Sequence, residues 1–146
     1  MQIILGSDHG GFPLKEKIKV WLNGEGYSVD DVGALSLVPE DDYVDYAKAA
    51  VKKAGSNGDR IVLFCRNGFG MSMAANRFAG VRCGVAFDEE AVRKGRTDDD
   101  INCLSVPADY VDEEKVKRMI DVFLKESFSG SEKYKRRVMK LDNKMV

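Results

Sequence analysis

Short apolar runs alternate with amphipathic stretches along this chain, and that alternation limits the possible fold more than any other feature. The apolar runs, which we predict to be strands, are Gln2–Leu5, Tyr27–Val32, Ile61–Cys65, Val81–Phe87 and Ile101–Val106. The predicted helices are Pro13–Asn23, Tyr43–Ala54, Met71–Phe78, Asp88 to about Lys94, Asp112–Lys125 and Ser131–Leu141. Strands that alternate with helices indicate βαβ units. We therefore expect an α/β protein: a three-layer, Rossmann-like open parallel sheet of about five strands with helices on both faces.

Length and charge narrow the class of protein. With 146 residues and no shift in composition, the chain is expected to form a single domain over 1–146. Lys and Arg number 23 against 24 Asp and Glu, which argues against nucleic-acid binding and against binding to an anionic membrane. The first residues lack a basic segment and a cleavage site, and no apolar run is long enough to span a membrane, so we expect a cytoplasmic protein.

Cysteine and histidine are few. The three cysteines Cys65, Cys83 and Cys103 are an odd number without C-x-x-C spacing, which makes a disulfide framework or a structural zinc site unexpected. His9 is the single histidine, so a histidine-based metal site or catalytic triad has only one residue to build on. We expect free thiols in a reducing compartment and no metal.

Parallel sheets of this kind bind ligands outside the carboxyl ends of their strands. The segments that we expect at this edge are Ser7–Gly11, Cys65–Gly70 and Thr97–Asn102. The segment at Cys65–Gly70 is neither a P-loop nor a dinucleotide fingerprint, because the Gly-Lys-Ser/Thr ending and the third small residue are missing.

Cys65 and the glycines behind it form the first candidate site. Gly68 and Gly70 let the backbone approach a ligand, and the helix that follows offers free N–H groups to an anion or oxyanion. A thiol beside Arg66 at a helix start is expected to have a lowered pKa. The alternative is that Cys65 is a buried apolar side chain, as many free cysteines are.

Two further segments have both a functional and a purely structural interpretation. Asp8 and His9 precede a Gly pair that leaves space in front of the imidazole, but Asp8 could also serve only as a helix cap. Asp98, Asp99 and Asp100 could contribute to a site, or form a solvated acidic loop.

Three motifs together resemble the ribose-5-phosphate isomerase B / galactose-6-phosphate isomerase family. They are Gly6-Ser-Asp-His-Gly-Gly-Phe-Pro-Leu-Lys15, Asp42-Tyr-Val-Asp-Tyr-Ala47, and Cys65 with Gly68-Phe-Gly-Met-Ser-Met-Ala-Ala-Asn-Arg77 and Gly80-Val-Arg82. The resemblance implies an aldose–ketose isomerase of small sugar phosphates that uses no cofactor and works through a cis-enediolate. It also implies a homodimer or a dimer of dimers whose active sites are shared between subunits.

The resemblance assigns roles to individual residues. It makes Cys65 the proton-transfer base and the amides of Asn67 to Gly70 an oxyanion hole, with Asp8 and Tyr43 on the sugar hydroxyls and His9 at the phosphate end. Arg137 matches a phosphate-binding arginine from the partner subunit. The other candidates are Asp98 for catalysis and, for substrate binding, Arg66, Gly68, Gly70, Ser72, Asp99 and Lys133.

The chain also departs from the family pattern. Arg66-Asn67 replaces Gly-Thr after the cysteine, and Asp98–Asp100 replaces a His-Asn-Asp triplet whose histidine opens the furanose ring. Asp109 and Lys133 stand where the family has arginines. Since an ordinary aspartate is a poor proton donor at neutral pH, we expect a preference for open-chain substrates such as tetrose 4-phosphates. The alternative is a non-catalytic sugar-phosphate-binding paralogue with the same fold.

Overall fold

A computed structural model describes residues 1–55 and 58–143 of the chain. In this part of the chain the strands are β1 Ile3–Ser7, β2 Val29–Asp31, β3 Arg60–Cys65, β4 Cys83–Val85 and β5 Cys103–Pro107. The helices are α1 Phe12–Gly24, α2 Tyr43–Lys53, α3 Phe69–Ala75, α4 Glu89–Asp99, α5 Glu113–Lys125 and α6 Glu132–Asp142. None of these helices is long and apolar enough to cross a membrane.

The five strands form one parallel sheet in the order β2-β1-β3-β5-β4. From β1 the chain moves to one side to form β2 and then crosses to the other side to form β3. The strand order therefore reverses between β1 and β3, which places the ligand-binding position of such a sheet at their carboxyl ends. The predicted fold class is confirmed.

Helices cover both faces of the sheet because its central strands are apolar on both sides. Every residue of β1 and β5 is buried, and so are the last five residues of β3. Alternate side chains divide into two cores: Leu5 and Phe64 pack with α1 and α5, whereas Ile4 and Leu63 pack with α2 and α3. This three-layer arrangement holds the strand ends in fixed positions.

Helix α4 is longer than predicted. It was expected to end near Lys94 before an acidic loop, but it continues to Asp99, and Asp100 follows in the left-handed region with a φ of 49°. The helix continues because Arg96, one of its own residues, is buried. Its guanidinium donates to Asp100 Oδ1 at 2.8 Å and to the Ile101 carbonyl at 2.6 Å. The interpretation of Asp98–Asp100 as a solvated loop is therefore wrong.

Helix α6 lies at the surface of the subunit. It packs against α4, and none of its residues, all of which the structure describes, is buried. Met139 and Leu141 are more than half exposed. A helix with this little contact to its own subunit leaves most of its side chains available to another chain.

Candidate active site

Three loops meet at the carboxyl end of the sheet. The Asp8 N–H donates to the Phe64 carbonyl at 3.3 Å, which joins the loop after β1 to the end of β3. The Ala108 N–H donates to the Cys65 carbonyl at 2.9 Å, and the Asp109 N–H to the Arg66 carbonyl at 3.0 Å. Backbone hydrogen bonds thus fix the loops after β1, β3 and β5 around Cys65.

Cys65 is the last residue of β3 and is 4% exposed. Burial raises the pKa of its thiol above the ordinary value, although backbone N–H groups of Met71, Gly68 and Asn67 favour the thiolate. The prediction of a lowered pKa is wrong for two reasons. The thiol is almost completely desolvated, and the Arg66 side chain is 62% exposed and pairs with Asp109 at 3.5 Å, so it lies out in solvent.

The turn that follows Cys65 depends on glycine. Gly68 has a φ of 78°, in the left-handed region, and a side chain there would also lie 3.1 Å from Val85. Gly70 lies under the ring of Tyr43, since a Cβ on Gly70 would be 2.8 Å from that ring. The structure therefore brings Tyr43, the first residue of α2, next to the turn that follows Cys65.

Two polar residues of this segment bond to the protein itself. The Asn67 side chain is exposed, and its Oδ1 accepts a hydrogen bond from the Phe69 N–H at 3.0 Å, which occupies one amide of the proposed oxyanion hole. The Ser72 hydroxyl donates to the Cys83 carbonyl at 3.5 Å and accepts from Asn76 Nδ2 at 3.4 Å. The contacts of Ser72 therefore lie toward β4.

Asp8 is 6% exposed and keeps the loop after β1 in place, because its Oδ1 accepts from the Gly11 N–H at 3.0 Å. It does not cap α1, which begins after Gly11 without a side-chain cap. The aliphatic part of Arg66 lies directly against Gly10. The Arg66 guanidinium and its partner Asp109 therefore form the outer rim of the site.

His9 has a partner that the sequence analysis missed. Its Nδ1 lies 2.7 Å from Asp41 Oδ1, and the same oxygen accepts from the His9 backbone N–H at 2.9 Å. Burial raises the pKa of the Asp41 carboxyl, but the hydrogen bonds from His9 outweigh this and hold it below the ordinary value. The one signal in the sequence was the acidic run Glu40-Asp41-Asp42 just before α2. The first residue of α2, Tyr43, also lies at the carboxyl edge of the sheet.

Four predicted site residues lie elsewhere in the subunit. The segment Thr97–Asn102 precedes β5, so Asp98 and Asp99 lie at the amino end of the sheet, opposite Cys65, and the expectation that this segment lies at the carboxyl end is wrong. Lys133 and Arg137 are exposed on α6, each close to the ring of Tyr134, and neither pairs with a carboxylate among the described residues.

Comparison with known proteins agrees with the fold and the motifs. A family model described as ribose/galactose isomerase matches residues 3–141. The crystal structure of a ribose 5-phosphate isomerase from Thermotoga maritima has a TM-score of 0.93 and 38% identity, and the match covers 98% of each chain. Ribose-5-phosphate isomerase B from Mycoplasma genitalium with bound ribulose-5-phosphate has a TM-score of 0.91 and 31% identity, over 97% of this chain and 93% of the other.

A third relative differs in the sugar for which it is named. The 4-deoxy-4-sulfo-D-erythrose isomerase of Clostridium sp. (strain MSTE9) is 36% identical over 107 residues, which are 73% of this chain and 67% of the relative. The fold, the cysteine turn and these relatives together define a sugar-phosphate isomerase. The chain belongs to the ribose/galactose isomerase family.

Proposed function

We propose that the protein interconverts an aldose phosphate and the corresponding ketose phosphate through a cis-enediolate, without a cofactor, and that Cys65 is the base. The observation that carries this proposal is the position of Cys65, at the carboxyl end of β3 beside the strand-order reversal. The sulfur moves the proton between neighbouring carbons. The backbone amides of the following turn stabilise the thiolate and the enediolate oxygen.

The substrate belongs to one of two groups. Ribose 5-phosphate and ribulose 5-phosphate are supported by the names of the most similar relatives, and the aldose of this pair must open a furanose ring. Four-carbon sugars with an anionic group on carbon 4 are supported by the sulfo-erythrose isomerase relative and by Asp98 in place of a histidine. Such sugars have no free oxygen on carbon 4, so no furanose forms.

The active site is completed by a second copy of the chain. Asp98 and Asp99 lie at the opposite end of the sheet from Cys65, and Lys133 and Arg137 lie on α6, which packs against α4. Lys133 and Arg137 are exposed cations suited to an anionic group bound by a neighbouring subunit. We therefore infer a homodimer, or a dimer of dimers, of single-domain subunits. The free thiols fit the cytoplasm.

A non-catalytic sugar-phosphate-binding paralogue is the second candidate. The raised pKa of Cys65 favours it because less of the thiol is ionised at neutral pH, and Asp98 favours it because the ring-opening histidine of the family is missing there. Solvent deuterium separates the two candidates. An isomerase incorporates deuterium from D2O into the carbon of the substrate that loses a proton, whereas a binding protein incorporates none.

The test uses mass spectrometry of ribulose 5-phosphate and erythrulose 4-phosphate after incubation in D2O with the wild type or Cys65→Ala. We expect incorporation with the wild type and a rate at least about a hundredfold lower with Cys65→Ala, which is the lower end for loss of a general base. Cys103→Ala is the matched control, because it removes a buried thiol from β5. Equal rates for the wild type and Cys65→Ala would exclude Cys65 as the base.

A further inference from the structure

Arg82, the last residue of the sequence motif Gly80-Val-Arg82, connects three elements of the subunit, and the proposed function gives it no role. Its Nε donates to the Asp100 carbonyl and its Nη2 to Asp100 Oδ2, both at 2.9 Å, just after the end of α4. Its Nη1 donates to the two carboxylate oxygens of Asp142, the last residue of α6, at 3.0 and 2.9 Å. The guanidinium therefore joins the start of β4 to the ends of α4 and α6.

The Arg82 guanidinium is held in place before it reaches Asp142. Its side chain is only 15% exposed, and its partner Asp100 is itself fixed by the buried Arg96, which donates to Asp100 Oδ1 at 2.8 Å. An ordinary surface ion pair contributes little because two mobile side chains must be ordered to form it. Here the cation is already ordered, so the bond to Asp142 fixes the end of α6 at a small entropic cost.

Helix α6 has few other contacts that could fix its direction. None of its residues is buried. The chain just before it is tied down by the Ser129 N–H, which donates to the Thr97 carbonyl at 3.0 Å. Within residues 1–55 and 58–143, the Arg82–Asp142 pair is the only hydrogen bond or ion pair between a side chain of α6 and another element. The backbone thus holds the start of the helix, and Arg82 holds its end.

The two exposed cations of α6 lie between these two attachments. Arg137 is five residues before Asp142, which is about 7.5 Å along the helix axis, and Lys133 is near the start of the helix. If the end of α6 were free, both cations would move relative to whatever they bind. A displacement of about 1 Å can weaken a catalytic arrangement strongly, so a fixed helix end has a functional consequence.

We propose that Arg82, through Asp142, is a positioning residue that holds α6 so that Arg137 and Lys133 bind the anionic group of the sugar in the neighbouring subunit. This inference rests on the proposed function, including its shared active site. It makes Arg82 act between subunits: the anchor in one subunit serves the Cys65 of the other. A purely structural role would instead affect the subunit that carries the substitution.

Asp142→Ala tests the anchor, since Arg82 is mostly buried and its replacement would also leave Asp100 without a partner. Glu132→Ala is the matched control. It removes the same charge from the same helix, five residues from Arg137 on the other side, and Glu132 pairs only with Lys135 of its own helix among the described residues. The measurement is the rate of deuterium uptake against concentration, for whichever of ribulose 5-phosphate and erythrulose 4-phosphate the wild type uses.

In Asp142→Ala we expect KM to rise at least about fivefold while kcat stays within about twofold, because a contact to the anionic group binds substrate and transition state alike. Glu132→Ala should keep both constants of the wild type. An unchanged KM in Asp142→Ala, or an equal rise in Glu132→Ala, overturns the inference.

Subunit exchange then shows which subunit the anchor serves. With an excess of about tenfold of Cys65→Ala, nearly every Asp142→Ala subunit has a Cys65→Ala partner. The working site of such a hybrid combines the Cys65 of one subunit with the anchored α6 of the other. Its KM should therefore return to the wild-type value.

A KM that stays raised after mass spectrometry has verified exchange also overturns the inference, since Asp142 would then act on its own subunit. Absence of deuterium uptake in the wild type with either substrate has a different meaning. It refutes the proposed function itself, and the inference with it.

Discussion

Mixing two inactive variants tests whether each active site needs residues from two subunits. Cys65 lies at the carboxyl end of the sheet, whereas Arg137 is on α6, which is exposed and packs against α4. Cys65→Ala removes the proposed base. Arg137→Ala removes the proposed charge-assisted hydrogen bond to phosphate, and a bond of this kind contributes about 1.5–3 kcal/mol. Each variant alone should therefore have little activity.

The expected recovery follows from the symmetry of a dimer. When equal amounts of the two variants exchange subunits, about half of the dimers are hybrids, and each hybrid contains one site with both groups intact and one site with neither. The mixture should therefore reach about a quarter of the wild-type rate per subunit. If Cys65 and Arg137 acted within one subunit, no site would be restored.

A second mixture should lose activity, rather than gain it, when the subunits exchange. In hybrids of the wild type with the double variant Cys65→Ala Arg137→Ala, each site lacks one group. Complete exchange should then lower the rate from about half of the wild-type rate to about a quarter. Arg136→Ala, which removes a neighbouring exposed charge from α6, is the control for the single substitution. No recovery in the first mixture and no fall in the second, after mass spectrometry has verified exchange, would refute the shared site.

Three more predictions concern pH, stability and cofactors. Because burial raises the pKa of Cys65, kcat/KM should continue to rise with pH beyond the ordinary pKa of a thiol. A pH profile of kcat/KM that reaches its plateau at neutral pH would contradict this. Lys15 is fully buried and donates to the Ala34 carbonyl at 2.7 Å and to Asp31, with which Lys19 also pairs. Lys15→Met leaves the Ala34 carbonyl without a partner, so it should lower the free energy of unfolding by about 1–3 kcal/mol in urea denaturation, and an unchanged midpoint would contradict the reasoning. Dialysis against EDTA should leave kcat/KM unchanged, and a loss that a divalent metal restores would contradict cofactor independence.

The sequence determined the main features of the fold because they depend on local patterns. Ile61–Cys65 is apolar at every position, which requires cover on both faces and fits a central parallel strand. Since the carboxyl ends of parallel strands share one edge, the sequence also predicted that Cys65 and His9 lie at the same side of the sheet. Three motifs together, one of them around Gly68 and Gly70, indicated the family.

Tertiary structure alone decided which side chains meet. Asp41 reaches His9 across 32 residues and Asp109 reaches Arg66 across 43, and no periodic pattern encodes such contacts. Asp98 is a different case, because it precedes the predicted strand Ile101–Val106, and the sequence therefore already contained its position at the amino end of the sheet. The pKa of Cys65 depended on how completely the packed loops exclude water from its sulfur. Desolvation and long-range contacts depend on all the elements that pack around a residue, so they cannot be predicted from its neighbours in the sequence.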